Sequence, residues 1–141
     1  MRGSKISALI DTDIAIDYLR GKEEVKGIVE ELWDEGKAYL SAISVYELFC
    51  GMREGEEEAT DAFVEGCEVV EVDETIAREA GRLYREYRRR GVTVSAGDYI
   101  VAATAFVLSV PLISNNKRHY PFEGLEVYTA REWMERGMRG P

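Results

Sequence analysis

Carboxylate side chains stand beside short apolar runs at three separate points of this chain. Asp11 and Glu47 each lie within a few residues of the end of a predicted strand, and Asp98 opens a strongly apolar segment. A fourth junction of the same kind ends in Asn116. In a parallel sheet these junctions would lie along the carboxyl edge, where open α/β folds bind ligands. Several carboxylates meeting there would repel one another unless a cation bound between them, so the pattern predicts a metal site.

The types of donor atom favour a hard divalent cation. Carboxylate oxygens, an amide carbonyl and water suit Mg²⁺ or Mn²⁺, whereas the sequence contains no cluster of cysteine and histidine for zinc. His119 is the only histidine, and we expect it to have a surface or structural role. Because no nucleophile–histidine pair is evident, covalent hydrolysis has little support. Phosphoryl transfer to an activated water is the chemistry that these residues favour.

Each of the three acids also has a structural explanation. Asp11 can cap the helix that follows it, because aspartate is among the best N-cap residues. Ser44 and Glu47 fit a capping box, and Ser95 and Asp98 resemble a second one. Capping and metal binding are compatible, since a helix N-terminus stabilises a carboxylate and fixes its position. The ordered set of acids therefore carries more weight than any one of them.

The predicted elements alternate between strands and helices, which is typical of a parallel α/β sandwich. Apolar runs and alternating patterns predict strands at residues 6–10, 37–43, 67–72, 112–114 and 126–128. Helical periodicity and helix-ending residues predict helices at residues 13–20, 23–34, 44–53, 56–65, 75–90, 98–108 and 131–138. The alternating polarity of the third strand places it at or near an edge. We therefore predict a three-layer α/β sandwich with a central, mainly parallel sheet, formed by a single domain over residues 1–141.

Composition disfavours several classes of protein. The formal net charge of −9 argues against a general nucleic-acid binder. Basic residues are nevertheless concentrated in helix 75–90 and at Lys117 and Arg118, which can form a local basic rim. The longest apolar stretch, residues 99–113, is broken by a serine and a proline and falls short of the roughly 20 residues that span a bilayer. We expect a cytoplasmic protein without a membrane contact.

The two cysteines, Cys50 and Cys67, lack a metal-binding spacing, so we expect reduced thiols. A disulfide between them is the alternative if the source is a thermophile. The charged fraction of 32% and the absence of glutamine hint at such a source. Residues 1–4 are either native, and then expected to be disordered, or a remnant of an expression vector.

Four segments of the chain stand out together: ALIDTD (8–13), SAISVYELFCG (41–51), DYIVAATA (98–105) and LISNNKRHY (112–120). In this order they resemble the signature segments of PIN-domain ribonucleases, and most closely those of the VapC-like toxins of toxin–antitoxin pairs. Residues 122–127 resemble the closing strand of the same family. The resemblance implies a PIN-like fold, an Mg²⁺ or Mn²⁺ cofactor, an RNA substrate, an antitoxin partner and a homodimer.

The same resemblance implies roles for individual residues. The implied metal ligands are Asp11, Glu47 and Asp98. Asn116 stands where many relatives have an aspartate. It is a weaker fourth ligand, because an amide adds no negative charge. Thr12 and Ser114 match small hydroxyl positions beside the site, although turn or cap roles explain them equally well. Three negative charges favour one firmly held ion and a second that arrives with the RNA phosphate, and Lys117 and Arg118 are candidate RNA contacts.

Two other functions stay open at this point. Asp11-Thr12-Asp13 also resembles the Asp-x-Asp start of haloacid-dehalogenase phosphatases, although Ala15 stands where those enzymes have threonine or valine. The chain is also short for that fold. The other alternative is a weakly catalytic module that acts mainly as the dimeric partner of an antitoxin.

Overall fold

A computed structural model describes residues 6–138, and its centre is a five-stranded sheet. The strands are β1 (Ile6–Ile10), β2 (Gly36–Ser41), β3 (Glu68–Val70), β4 (Leu112–Ile113) and β5 (Val127–Tyr128). Their order is β3-β2-β1-β4-β5, and every pairing is parallel. The parallel sheet is therefore confirmed, with β3 at an edge as predicted. Residues 1–4, for which we expected disorder or a vector origin, lie outside the described range.

Helices cover both faces of this sheet. They are α1 (Thr12–Leu19), α2 (Glu23–Glu35), α3 (Ala42–Cys50), α4 (Glu57–Gly66), α5 (Glu74–Arg89), α6 (Ala96–Leu108) and α7 (Ala130–Met138), with a 3₁₀ turn at Lys117–His119. Residues of α1, α2, α3, α4 and α7 pack in one hydrophobic cluster, and those of α5 and α6 pack in a second one. These layers confirm the three-layer sandwich. Predicted and observed bounds differ by at most three residues.

The central strands separate the two clusters. In β1, Ala8 and Ile10 contribute to the cluster on one face, and Leu9 contributes to the other. In β4, Ile113 and Leu112 divide in the same way. All five of these side chains are buried. A strand that is buried on both faces needs apolar residues at every position, which explains why β1 is a continuous apolar run.

The start of α3 differs from the prediction. Strand β2 ends at Ser41, and the Ser41 hydroxyl caps α3 by accepting a hydrogen bond from the Ile43 N–H at 3.1 Å. The predicted capping box of Ser44 and Glu47 is therefore wrong. Two serines in this segment offer an N-cap, and the helix begins after the first, which places Ser44 inside the first turn. The Glu47 side chain is consequently not used in capping.

The start of α6 confirms the second capping box. The Ser95 hydroxyl accepts from the Asp98 N–H at 3.1 Å, and the Asp98 carboxylate accepts from the Ser95 N–H at 3.4 Å. Because the helix begins at Ala96, Asp98 is its third residue, not its first. Six residues of α6 are buried, as its nearly uniform apolar character predicted. Within residues 6–138 no helix, α6 included, is long and apolar enough to span a membrane.

Both cysteines are free thiols in this structure, as expected. Cys50 is exposed, whereas Cys67 is largely covered. Burial raises the pKa of the Cys67 thiol to about 11, so this side chain stays protonated at neutral pH. A protonated, buried thiol is a poor nucleophile, and Cys67 therefore acts as a core residue.

Candidate active site

An open pocket of about 390 Å³ lies at the carboxyl end of the sheet, and all four predicted metal ligands line it. Asp11 follows β1, Glu47 lies on α3, Asp98 lies in the first turn of α6, and Asn116 follows β4. The remaining lining residues are Thr12, Asp13, Thr93, Val94, Ser95 and His119. The parallel sheet therefore brings together side chains that are far apart in the sequence, as the strand-to-helix junctions predicted.

Asp11 is the most firmly held of the four residues. One carboxylate oxygen accepts from the Thr12 N–H at 2.8 Å, and the other accepts from the Ser114 hydroxyl at 2.7 Å and the Tyr120 hydroxyl at 2.9 Å. The side chain is buried, with 7% of its surface exposed. Burial raises the pKa of Asp11, the three hydrogen bonds oppose this rise, and the charge of Asp98 adds to it. A buried carboxylate with an acidic neighbour is stabilised by a nearby cation.

Glu47 is positioned by α1 and by a glycine of α6. The Thr12 hydroxyl donates to one Glu47 oxygen at 2.5 Å, and it also lies 2.9 Å from the Ser44 hydroxyl. The other Glu47 oxygen lies only 2.9 Å from where a Cβ would stand at Gly97. The absence of a side chain at Gly97 thus lets this carboxylate approach the first turn of α6, where backbone N–H groups favour negative charge. Thr12, predicted as an accessory residue, contacts Glu47.

Asp98 lies between two residues of the last junction. One of its oxygens is 3.2 Å from the Tyr120 hydroxyl, and the other is 3.6 Å from Nδ1 of His119. His119, for which we expected a surface or structural role, is partly exposed and lies in the wall of the pocket. Sequence reasoning missed Tyr120 altogether. The only signal was its position, four residues after Asn116 in a motif that the resemblance had already singled out.

Asp13 is a further pocket residue that was not predicted to be part of the site. One of its oxygens accepts from the Asn115 N–H at 2.9 Å, while the other is buried without a hydrogen-bond partner. Burial and the charge of Asp11 raise the pKa of Asp13 to about 6. In the sequence, the spacing of Asp11 and Asp13 resembles that of haloacid-dehalogenase phosphatases, and it gave no indication that Asp13 belongs to this pocket. An unsatisfied buried carboxylate oxygen beside Asp11 is a feature that a bound cation explains.

The donors fit a magnesium-type ion that keeps much of its water. Within residues 6–138, no group of three or more acidic, histidine or cysteine side chains is arranged to hold a metal ion as it stands. Mg²⁺ does not need three or more protein ligands, because one or two carboxylates, water and substrate phosphates commonly complete its coordination shell. Asp11 and Asp98, which share the Tyr120 hydroxyl, are the pair that could supply those carboxylates. Glu47 and Asn116 line the same pocket.

Comparison with known proteins agrees with this geometry. Residues 8–125 match the PIN domain family. The chain belongs to this family. It is 40% identical over 114 residues to Ribonuclease VapC19 of Mycobacterium tuberculosis, covering 80% of this chain and 91% of the relative. It is 32% identical over 113 residues to Ribonuclease VapC1 of Methanocaldococcus jannaschii, covering 79% and 77% of the two chains.

Solved structures share the fold of this PIN domain. A toxin–antitoxin complex from Klebsiella pneumoniae contains a chain with a TM-score of 0.73 and 26% identity, covering 87% of this chain and 97% of the other. VapBC2 from Rickettsia felis, bound to a DNA fragment from its promoter, gives a TM-score of 0.79 at 18% identity, covering 88% and 98%. PIN family membership excludes the phosphatase interpretation of the Asp11-Thr12-Asp13 segment.

The basic rim of this PIN domain is only partly engaged in ion pairs. Lys117, a candidate RNA contact, pairs with Glu132 at 3.0 Å, and Arg118 is exposed next to it. On α5, Arg82 and Arg90 pair with neighbouring glutamates of the same helix. Such exposed pairs contribute about 0–1 kcal/mol, so a phosphate can replace the carboxylate at small cost.

Proposed function

We propose that this PIN domain is a metal-dependent endoribonuclease and the toxin of a toxin–antitoxin pair. The observation that carries the proposal is the meeting of Asp11, Glu47, Asp98 and Asn116, from four separate segments, in one open pocket. The 40% identity to Ribonuclease VapC19 supports RNA as the substrate. The reaction is hydrolysis of a phosphodiester bond within the RNA, carried out by a single nuclease domain over residues 1–141 in the cytoplasm.

The proposed site uses its residues unequally. Asp11 and Asp98 supply the main ligands for Mg²⁺ or Mn²⁺, because both carboxylates lie against the same hydroxyl. Glu47 and the amide oxygen of Asn116 complete the shell or orient water in it. When bound, the ion stabilises the charge that develops on the phosphate and makes water a better nucleophile. We propose one firmly held ion and a second that enters with the RNA.

The RNA backbone approaches from the side of the last junction. Arg118 is exposed there, and Lys117 becomes available when RNA phosphate replaces Glu132 in its ion pair. Thr12 and Ser114 keep Glu47 and Asp11 in place through their hydroxyl groups. This arrangement gives the chain a local basic contact next to the pocket, while the net charge of −9 limits its general affinity for nucleic acids.

Removal of divalent metal should abolish RNA cleavage, because the four carboxylates that line the pocket repel phosphate until a cation neutralises them. The measurement is cleavage of a labelled single-stranded RNA by the purified chain in EDTA, in Mg²⁺ and in Mn²⁺. We expect activity in both metals and loss of at least about 100-fold in EDTA, the size of effect that removal of one charge-stabilising group causes. Equal cleavage in EDTA would contradict the proposal. Release of nitrophenol from p-nitrophenyl phosphate in the same buffers is a control for phosphatase activity.

The antitoxin is proposed to bind an apolar surface beside the pocket. Ile16 of α1 and Tyr46 and Phe49 of α3 expose 36%, 64% and 40% of their surface, respectively. A small cavity lined by Leu19, Leu48 and Met52, among others, lies between the same helices and also includes Glu47. Exposed apolar residues next to an active site fit a partner chain that also blocks the site.

A homodimer is proposed to form through the opposite layer of the sandwich. A depression between α5 and α6 is predominantly apolar and includes Val72 and Tyr84, which expose 38% and 45% of their surface. The small residues Ala77 and Gly81 lie in the same depression. Small residues between large exposed ones allow two copies of the same helix pair to approach closely.

Light scattering should give the chain alone a mass about twice that of the 15.9 kDa monomer. Co-expression with a small open reading frame encoded next to the gene should give a larger complex that no longer cleaves RNA. A mass of 15.9 kDa for the chain alone would contradict the homodimer. Full RNA cleavage in the larger complex would contradict inhibition by the partner.

A further inference from the structure

Tyr120 joins two of the carboxylates at the pocket. Its hydroxyl lies 2.9 Å from Oδ2 of Asp11 and 3.2 Å from Oδ1 of Asp98. Within residues 6–138, no other side chain is hydrogen-bonded to both of these carboxylates. Ser114, by comparison, donates to Asp11 alone. Tyr120 therefore directly connects Asp11, at the end of β1, with Asp98, in the first turn of α6.

The ring of Tyr120 is held firmly in place, so the position of its hydroxyl is fixed as well. Only 4% of the residue is exposed, and it belongs to the hydrophobic cluster between the sheet and helices α5 and α6. It follows directly on the 3₁₀ turn Lys117–His119, and its backbone N–H donates to the Lys117 carbonyl at 3.0 Å. A hydroxyl on a ring fixed in this way has little freedom to follow a moving carboxylate.

The two carboxylates need such a connection because they repel each other. Asp11 is buried, and one oxygen of each carboxylate lies within hydrogen-bond distance of the same hydroxyl oxygen. The Tyr120 hydroxyl has a single hydrogen, so it can donate to either carboxylate but not to both at the same moment. The hydrogen can pass from one carboxylate to the other only while both lie close to that one oxygen atom. Without the hydroxyl, repulsion would separate them before a cation arrives.

We propose that Tyr120 is a positioning residue that sets the spacing of Asp11 and Asp98 for the incoming divalent ion. This inference rests on the proposed function, since it assigns a purpose to the spacing of those two carboxylates. The ring alone explains the burial of Tyr120, but it does not explain a hydroxyl placed between two acids. Partners that orient metal ligands typically change metal affinity by about 10–100-fold when they are removed.

The test is the variant Tyr120→Phe, which keeps the ring and removes only the hydroxyl. Calorimetric titration of the RNA-free protein with Mn²⁺ should give a Kd at least about 10-fold weaker than that of the unchanged chain. In RNA cleavage, the Mn²⁺ concentration for half-maximal rate should rise by a similar factor, and the rate at saturating Mn²⁺ should fall less. The rise in melting temperature on adding Mn²⁺ should shrink in parallel.

Tyr87→Phe is a matched control. Tyr87 is also 4% exposed, and its hydroxyl accepts a hydrogen bond from the Glu123 N–H at 2.9 Å, away from the pocket. We expect this variant to lose a similar buried hydrogen bond but to keep the Kd for Mn²⁺. An unchanged or tighter Kd in Tyr120→Phe would overturn the inference, and so would an equal loss of affinity in both variants.

The outcomes also separate this inference from the proposed function. If the unchanged chain binds Mn²⁺ but cleaves no RNA, the proposed function fails, and the Kd of Tyr120→Phe still decides the role of the hydroxyl. If the unchanged chain binds no Mn²⁺, both fail together. Melting in EDTA shows whether each variant is folded at the temperature of the titration.

Discussion

Replacing Asp11 with asparagine should reduce metal-dependent RNA cleavage by at least about 100-fold, the size of effect seen when a key charged or polar group is removed from an active site. Asparagine keeps the shape of the side chain but removes its negative charge. In the unchanged chain, three hydrogen bonds hold the Asp11 carboxylate in place. Since burial and the charge of Asp98 disfavour the ionised carboxylate, the metal-free variant should melt at the same or a higher temperature. Loss of cleavage without loss of stability would separate a chemical role from a structural one.

The control for this variant is Asp17→Asn. Asp17 lies on the same helix, α1, but pairs with Lys22 at 3.4 Å and does not line the pocket. It should cleave RNA at the rate of the unchanged chain. The variants Glu47→Gln and Asp98→Asn should both lose activity, with Asp98→Asn affected more because Asp98 shares the Tyr120 hydroxyl with Asp11. Undiminished cleavage in any of these pocket variants would remove that residue from the mechanism.

Gly36→Ala should be the most destabilising single methyl addition along the central strands. A Cβ at residue 36 would stand 1.2 Å from the carbonyl oxygen of Ile6, its partner in the parallel register of β1 and β2. This contact involves backbone, so no side-chain rotation relieves it. We expect a loss of about 4 kcal/mol or more in the free energy of unfolding, at the upper end of the range for point substitutions. Urea denaturation followed by circular dichroism measures it.

Gly27→Ala is the matched control in the preceding helix. Gly27 lies within α2, is exposed, and has no atom within 4 Å of an added Cβ. Alanine there should stabilise the protein by up to about 1 kcal/mol, because glycine is the poorer helix former. The same chemical change should thus have opposite signs nine residues apart. A Gly36→Ala variant as stable as the unchanged chain would show that β1 and β2 pair differently from the register described.

Sequence patterns could predict the frame of the molecule because they depend on local chemistry. Apolar runs and helical periodicity are read within a few residues, and they placed β1, α2 and α6 within two residues of their observed bounds. The alternation of strands and helices then implied a parallel sheet. That topology in turn predicted that Asp11, Glu47 and Asp98 would approach one another.

The sequence was less informative where two local solutions compete. Ser41 and Ser44 are both good N-cap residues, and only the packing of α3 shows that Ser41 is used. That difference decides whether Glu47 reaches back to its own helix or across to Thr12. The ion pair of Lys117 could not be predicted either. Its partner Glu132 lies on α7, and a local sequence pattern does not show that the two side chains meet.

The sequence by itself determined the alternating α/β frame and the ordered set of pocket-lining acids, because periodicity, capping and strand-to-helix junctions are local properties. Only the tertiary structure decided which groups hold those acids in place. The contacts of Tyr120 with Asp11 and Asp98, and the approach of Glu47 to Gly97, join residues from separate elements. They depend on sheet register and helix packing at the scale of single ångströms, and no periodic pattern in a sequence encodes distances of that kind.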